Sequence, residues 1–278
     1  MGNIVWLASY PKSGNTWLRV FLANLLADSV VPIALSDLAK YARIEADPEL
    51  YSQVAGRPST QLNFEELCSL RPQVQAALAA SASGTVFVKT HSMAGSFEGV
   101  PLLAPQATAG AIYIVRNPLD VVISMTYHFS ISLDEAIDYL GNERAATENN
   151  ALFVTEFLGS WSQHVNSWAQ TNNHHILVLR YEDLLMKAQE YFGKVAHFIG
   201  MGAEHNRISR AIAFSNFTLL ADMEARDGFA ERPMNGSRFF RAGLANQWRD
   251  VLSRDQVERI IANHGAQMVR FRYMPAGL

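Results

Sequence analysis

The chain lacks the marks of membrane, disulfide-stabilised and exported proteins. It has one cysteine in 278 residues, Cys68, which excludes an intramolecular disulfide and a cysteine-based zinc cluster and is typical of a reducing compartment. It has no apolar run near the roughly 20 residues that span a bilayer. Its N-terminus has no basic region followed by the long apolar region of a signal peptide. We therefore expect a cytoplasmic protein with no membrane segment.

Positive charge is also scarce. The 23 lysines and arginines are outnumbered by 26 acidic residues, for a net charge of −3, which argues against nucleic acid as a partner. Any anion site must therefore be built locally from a few cations. The chain has no internal repeat, low-complexity tract or clear linker, and residues 1–278 are predicted to form a single domain.

Apolar patterning predicts the fold class. Four short apolar runs are typical of buried parallel strands, at residues 4–8, 85–88, 111–115 and 176–179. Helical patterns follow at 17–26, 119–127, 153–170, 184–199 and 255–268. Strands that alternate with helices indicate an α/β protein with a P-loop-like, doubly wound parallel sheet of about four to five strands flanked by helices. Ligands bind such sheets at the carboxyl ends of the strands.

The first strand leads into a polar loop with one lysine and then into a helix, over residues 4–17. Such a junction directs backbone N–H groups, the positive end of the helix dipole and an ammonium group to one point, which predicts a phosphate site. The Walker A motif is absent, because Lys12 precedes the only loop glycine, Gly14. We therefore expect the loop to bind a nucleotide phosphate, in a manner different from that of ATPases.

Polar clusters follow each of the first three strands. They are residues 12–16, residues 89–91, and Arg116-Asn117 with Ser124 in the next helix. The ends of these strands can converge on one crevice of a doubly wound sheet. Two lysines, an arginine and a histidine gathered there suit the transfer of an anionic group.

Five motifs resemble those of the sulfotransferases that use 3′-phosphoadenosine 5′-phosphosulfate (PAPS) and release PAP. Residues 9–17 resemble the 5′-phosphosulfate loop, residues 113–124 the 3′-phosphate motif, and residues 87–91 the catalytic strand end. Residues 179–184 resemble the adenine-contacting segment, and residues 239–243 with Gln247-Trp248 are similar to the late phosphate loop. The motifs are in family order over nearly the whole chain. Residues 4–12 and 115–118 look closer to bacterial members, including those that sulfate glycopeptides, than to vertebrate ones.

The resemblance implies a role for each matching residue. The implied catalytic set is His91 as general base, Lys12 on the leaving oxygen, Lys89 on the sulfuryl oxygens, and Ser124. The implied cofactor-binding set is Lys12, Ser13, Gly14, Asn15, Thr16, Trp17, Arg116, Ser124, Tyr181, Ser215, Phe217, Arg241 and Gly243. Asn15 stands where many members have threonine, and Ala242 where the usual motif has lysine. The latter change is expected to weaken the hold on the 3′-phosphate. No metal is implied.

The acceptor is expected to be a small molecule or natural product with a hydroxyl group. Residues 28–75 and 125–160 are predicted to be acceptor-side helical excursions, and residues 226–243 a lid loop. Aromatic residues in or near these segments, such as Phe129 and Phe229, fit a phenol, an alcohol or a larger natural product. The residues do not specify an oligomeric state.

Two other functions remain open from the sequence. One is a nucleotide-dependent phosphotransferase. Two features argue against it: the glycine–lysine order of the Walker A motif is absent, and no carboxylate near the loop is an obvious ligand for magnesium. The other is a non-catalytic nucleotide-binding protein, which would need neither Lys89 nor His91. Apart from His91, the histidines are expected to have no functional role, except that His128 is a candidate for the acceptor pocket. Arg116 is also expected to pair with Asp120, four residues later on the helix.

Overall fold

A computed structural model describes residues 2–97, 99–169, 175–202, 204–233 and 238–276. The strands are β1 (Ile4–Ser9), β2 (Arg43–Ile44), β3 (Val86–Thr90), β4 (Ser96–Phe97), β5 (Val100–Pro101), β6 (Thr108–Val115) and β7 (Ile176–Arg180). The α-helices are α1 (Asn15–Ala27), α2 (Pro48–Ala55), α3 (Phe64–Ala80), α4 (Pro118–Phe129), α5 (Leu133–Gly141), α6 (Trp161–Trp168), α7 (Tyr181–Met186), α8 (Ala188–Phe198), α9 (His205–Ala213), α10 (Phe217–Asp227), α11 (Trp248–Val251) and α12 (Arg254–Arg270). Short 3-10 helices occur at Leu35–Lys40 and Ser59–Gln61.

Five of the strands form a parallel sheet in the order β2-β3-β1-β6-β7, while β4 and β5 form an antiparallel pair. In the centre of the sheet, Ile4 of β1 lies opposite Val86 of β3, and Ala8 lies opposite Thr90. Every residue of β1 and β3 is buried, which is why residues 4–8 and 86–88 are continuous apolar runs rather than alternating ones. The predicted α/β fold with a parallel sheet is confirmed.

Contacts divide the chain into two compact units. The first contains residues 1–10, 42–113 and 142–178, and the second contains residues 11–41, 114–141 and 179–278. Most of the sheet belongs to the first unit; the chain enters the second unit directly after β1 and within the last residues of β6 and β7. The assignment of a single domain to residues 1–278 stays a prediction.

Three of the five predicted helices match the structure to within two residues at each end, and two differ by more. The helix predicted at 153–170 begins only at Trp161, because Ser160 caps it with its side chain in a reciprocal capping box with Gln163. Val154 before it instead donates its backbone N–H to Ala46, and residue 170 lies outside the described residues. The helix predicted at 184–199 is two helices, α7 and α8, which are separated at Lys187.

The segments assigned to the acceptor side are less uniformly helical than predicted. Residues 28–75 include α2 and the start of α3, but also β2, an edge strand of the main sheet. The sequence did not reveal β2 because it has two residues and no apolar run. Residues 142–160 contain no helix. Nowhere in the described ranges is a helix both long enough and apolar enough to span a bilayer.

Candidate active site

The loop after β1 has the geometry of an anion site. Lys12 has a φ of 66° and Gly14 a φ of 105°, a left-handed region that glycine tolerates and most other residues avoid. A Cβ on Gly14 would lie 2.7 Å from Cδ2 of Tyr181, so the loop passes too close to this ring for a side chain. No side chain of the described residues caps α1, which leaves the N–H groups of its first turn directed at the loop.

Lys12 is held by two groups of the second unit. Its Nζ lies 3.1 Å from Nδ1 of His128 on α4 and 4.3 Å from the centre of the Phe239 ring. An ammonium group only donates, so Nδ1 of His128 accepts. His128 therefore lies beside the lysine that the resemblance places on the leaving oxygen. Its predicted part in the acceptor pocket stays a prediction.

Arg116 links the loop after β1 to the loop that precedes α11. Its guanidinium donates to the carbonyl oxygens of Lys12, at 2.8 Å, and Leu244, at 3.0 Å. The same group lies 4.5 Å from the centre of the Tyr181 ring. The side chain is 7% exposed, so the second unit presents a largely desolvated cation next to the loop.

The predicted pair between Arg116 and Asp120 is wrong among the residues that the structure describes. The carboxylate of Asp120 accepts from the backbone N–H groups of Asn246, at 2.7 Å, and Trp248, at 3.1 Å. Asp120 therefore anchors the start of α11, and the guanidinium is directed away to backbone oxygens. Asp120 is fully buried, so its carboxylate requires hydrogen-bond donors, and these two backbone N–H groups supply them.

The three aromatic residues assigned to the adenine, Trp17, Tyr181 and Phe217, lie in the second unit. Trp17 packs edge-on against Tyr181, with 5.9 Å between ring centres, and against Phe192 at 5.1 Å. Phe217 begins α10, where a Cβ on Gly243 would lie only 2.3 Å from its Cδ2. Gly243 has a φ of 62°, so both its backbone conformation and its close approach to Phe217 require glycine.

The other predicted cofactor residues also lie in the second unit. Ser124 lies half-buried in the middle of α4. Ser215 is buried, and its Oγ donates to the carbonyl oxygen of Ile212 at 3.1 Å. Arg241 donates to Oε1 of Gln247 at 2.7 Å and lies over the Tyr127 ring at 4.2 Å. Of the lid loop predicted at 226–243, residues 226 and 227 end α10, and residues 234–237 lie outside the described residues.

His91 and Lys89 belong to the first unit, at the end of β3. Nδ1 of His91 lies 2.7 Å from the carbonyl oxygen of Ser9, and because a carbonyl only accepts, Nδ1 carries the proton. In the neutral ring Nε2 is then the acceptor, which is the form that a general base requires. Lys89 is 6% exposed, with its Nζ 5.3 Å from the centre of the Phe153 ring.

Two neighbours of His91 were not identified as site residues from the sequence. Glu156 accepts from the backbone N–H of His91 at 2.6 Å, and His164 Nε2 donates to the His91 carbonyl at 2.9 Å. Both are buried. A single histidine in a helix that also carries two tryptophans signals only packing, so no pattern in the sequence points to these contacts. Within the described ranges, no three or more His, Cys, Asp or Glu side chains are arranged to hold a metal.

Comparisons with known sequences place this site in context. A family model described as the sulfotransferase domain matches residues 3–271. Cytosolic sulfotransferase 17 of Arabidopsis thaliana is 24% identical over 277 residues, which cover 93% of this chain and 72% of that protein. Sulfotransferase 1B1 of Mus musculus is 24% identical over 273 residues, which cover 96% of this chain and 83% of that protein.

Solved structures share the fold at low identity. Retinol dehydratase in complex with androsterone and PAP superposes with a TM-score of 0.64 and 20% identity, over 99% of this chain and 82% of that one. Mouse sulfotransferase SULT7A1 complexed with PAP gives a TM-score of 0.60 and 18% identity, over 99% of this chain and 84% of that one.

Proposed function

The chain belongs to the sulfotransferase family, and from that premise we propose that it transfers the sulfuryl group of PAPS to a hydroxyl group of a small-molecule acceptor. The observation that carries the proposal is the second unit's anion site. There Lys12 lies on a loop whose carbonyl is bound by the desolvated guanidinium of Arg116, at the uncapped start of α1. The extent of the family match also counts against the phosphotransferase alternative.

The residues present fit PAPS. The close approach of Gly14 to Tyr181 and of Gly243 to Phe217 leaves room for backbone, but not for a side chain, beside the aromatic rings. PAP is bound in retinol dehydratase and in mouse SULT7A1 according to the descriptions of those structures. PAPS, when bound, supplies an activated sulfuryl group on the 5′-phosphate.

In this proposal the phosphates are held by backbone and cations. Residues of α1 and its loop bind the 5′-phosphate, namely Ser13, Gly14, Asn15 and Thr16. The 3′-phosphate is bound by Arg116, Ser124, Arg241 and the backbone of Gly243. Trp17, Tyr181, Ser215 and Phe217 surround the adenine. Because Ala242 brings no charge, Arg241 and Arg116 supply the cations of this subsite.

The chemistry of transfer is assigned to three side chains. Nε2 of His91 takes the proton of the acceptor hydroxyl as its oxygen forms the new bond to sulfur. Lys12 stabilises the negative charge that develops on the bridging oxygen as its bond to sulfur breaks, and Lys89 stabilises the sulfuryl oxygens. Neither lysine needs a metal to assist it in this scheme.

Aromatic residues described in each unit favour an apolar acceptor. In the second unit, Phe239 lies against Lys12 and packs on Phe229, with 4.9 Å between ring centres. In the first unit, Lys89 lies near Phe153, and Phe97 stacks on Phe157 at 5.2 Å. Retinol dehydratase has been solved in complexes with androsterone and with retinol. The cytoplasmic location stays a prediction.

Calorimetric titration tests the proposal. The wild-type protein is titrated with PAP and, separately, with ATP and magnesium, and so are Lys12→Ala and Arg116→Ala. We expect PAP to bind the wild type and both variants to lose affinity, while Lys194→Ala, which removes an exposed lysine paired with Glu190, keeps it. Binding of ATP–magnesium without binding of PAP would refute the proposal. In a transfer assay with labelled PAPS, His91→Ala is expected to be about 10²- to 10⁴-fold slower.

A further inference from the structure

A second histidine lies directly behind His91 in the first unit. His164 on α6 is fully buried, and its Nε2 donates to the carbonyl oxygen of His91 at 2.9 Å. Its Nδ1 lies 3.0 Å from the hydroxyl of Tyr113, which donates to it. Burial lowers the pKa of His164 to about 3, so the ring is neutral at physiological pH, with one nitrogen donating and the other accepting.

The His164 ring has little freedom to move. Tyr10 packs edge-on against it, with 5.4 Å between ring centres and an interplanar angle of 86°, and Tyr113 lies at 5.6 Å. Trp168, one helical turn later, stacks on Tyr113, and its Nε1 donates to the carbonyl oxygen of Ser92 at 3.0 Å. One face of α6 therefore binds the carbonyl oxygens of two consecutive residues, His91 and Ser92.

The position of the His91 backbone determines what the imidazole can do. Its N–H is held by Glu156, its carbonyl by His164, and its own Nδ1–H reaches Ser9 at 2.7 Å. The bond to Ser9 keeps the proton on Nδ1 and leaves Nε2 as the acceptor. If the carbonyl is released, we expect the strand end to rotate, the Nδ1–H to leave the Ser9 carbonyl and the other tautomer to become populated.

We propose that His164 is the positioning residue for the general base: by binding the His91 carbonyl it holds the Nδ1–H tautomer of His91, in which Nε2 is the nitrogen that accepts a proton. The proposal rests on the proposed function in assigning a base to His91. In the part of the chain that the structure describes, the two ring nitrogens of His164 bond to the His91 carbonyl and the Tyr113 hydroxyl, and the proposal gives His164 no proton to transfer.

The direct readout is the tautomer of His91, measured by nitrogen-15 NMR in the full chain without substrate. In the wild type we expect the Nδ1–H form. His164→Leu, which removes the donor, is expected to give a mixture of tautomers. His164→Gln, whose amide can donate to the same carbonyl, is expected to restore the Nδ1–H form. The proposal would be overturned if His91 of the wild type is not in the Nδ1–H form, or if His91 of His164→Leu remains entirely in that form. This readout does not depend on PAPS, so it separates failure of this proposal from failure of the proposed function.

Turnover of PAPS with 2-naphthol as probe acceptor is the second readout. Because a misplacement of about 1 Å can cost about 100-fold in rate, we expect His164→Leu to lower kcat by about 10- to 100-fold with little change in the KM for PAPS. His164→Gln is expected to recover most of that loss. If His164→Leu does not fold, Tyr113→Phe takes its place, because it removes the hydroxyl that donates to Nδ1 of His164. We expect Tyr113→Phe to lose part of its kcat.

His264 supplies the matched control for burial. It is also a buried histidine, on α12 in the second unit, and burial lowers its pKa to about 4. His264→Leu is expected to lower the melting temperature, as His164→Leu does, but to keep kcat. Equal losses of kcat in the two variants would show that His164 acts only through stability and would overturn the proposal.

Discussion

Replacement of Gly243 by alanine tests the packing of the candidate adenine site. The new Cβ would lie 2.3 Å from Cδ2 and 2.6 Å from Cγ of Phe217. Ordinary contact begins at 3.4 Å, so the ring must retreat by at least 1.1 Å (3.4 − 2.3). Since Cγ is the attached end of the ring, rotation about the last bond does not relieve the contact, and the whole side chain must move.

The cost follows from what Phe217 is proposed to do. Stacking of a base on an aromatic ring contributes about 1–3 kcal/mol, which is about 5- to 150-fold in the dissociation constant. Gly243→Ala is therefore expected to weaken PAP binding by an amount in this range. Gly200→Ala is the control: its φ of 78° is also left-handed, but no described atom lies within 4 Å of its Cβ. Both variants lose stability from backbone strain, by about 1–2 kcal/mol.

Calorimetry with PAP and thermal unfolding of each variant provide the assay. A double-mutant cycle sharpens it, because in a Phe217→Ala background the Gly243→Ala change should cost little further affinity. Should Gly243→Ala bind PAP as tightly as Gly200→Ala does, or should the two changes simply add, the assignment of Phe217 to the adenine site would be refuted.

Three further results are expected. Arg71→Leu leaves the carboxylate of Glu45 buried without the guanidinium that lies 2.6 Å from it, and should lower the free energy of unfolding in urea by about 3–5 kcal/mol; a loss within error would contradict this. His264 has a pKa of about 4 in the folded chain against about 6.5 when unfolded, so the unfolded state takes up its proton first and stability falls as the pH drops through this window, by up to about 3 kcal/mol. His264→Gln should show a flatter decline in melts at pH 7 and 4.5. Glu224→Ala removes the carboxylate that accepts from two backbone N–H groups of the 226–243 loop, and it should speed tryptic cleavage of that loop. Saturating PAP should slow the same cleavage in the wild type, and a cleavage rate that PAP does not change would exclude a lid.

Local signals in the sequence determined the larger part of the fold and the anion loop. Buried parallel strands are apolar throughout, and the helices that cover them repeat every three to four residues, so β1, β3, β6, β7 and α1 could all be predicted. The loop around Lys12 could be predicted for the same reason: a strand, a polar turn with Gly14 and a helix start are consecutive in the chain. The two-residue strand β2 was missed because it is too short to give a pattern. The start of α6 was misplaced because it is determined by the Ser160 cap and not by the apolar repeat.

Partners that are distant in the sequence were decided only by the tertiary structure. The bond between Lys12 and His128 joins residues 116 positions apart, and that between His164 and the His91 carbonyl joins residues 73 apart. Asp120 had a plausible partner four residues away, yet its carboxylate binds backbone N–H groups more than 120 residues later. The sequence by itself specified which side chains can carry the chemistry, because residue type is given directly and local geometry depends on residues that are neighbours in the chain. Their hydrogen-bond partners, tautomers and protonation states depend on which segments pack around them, and no local pattern records that packing.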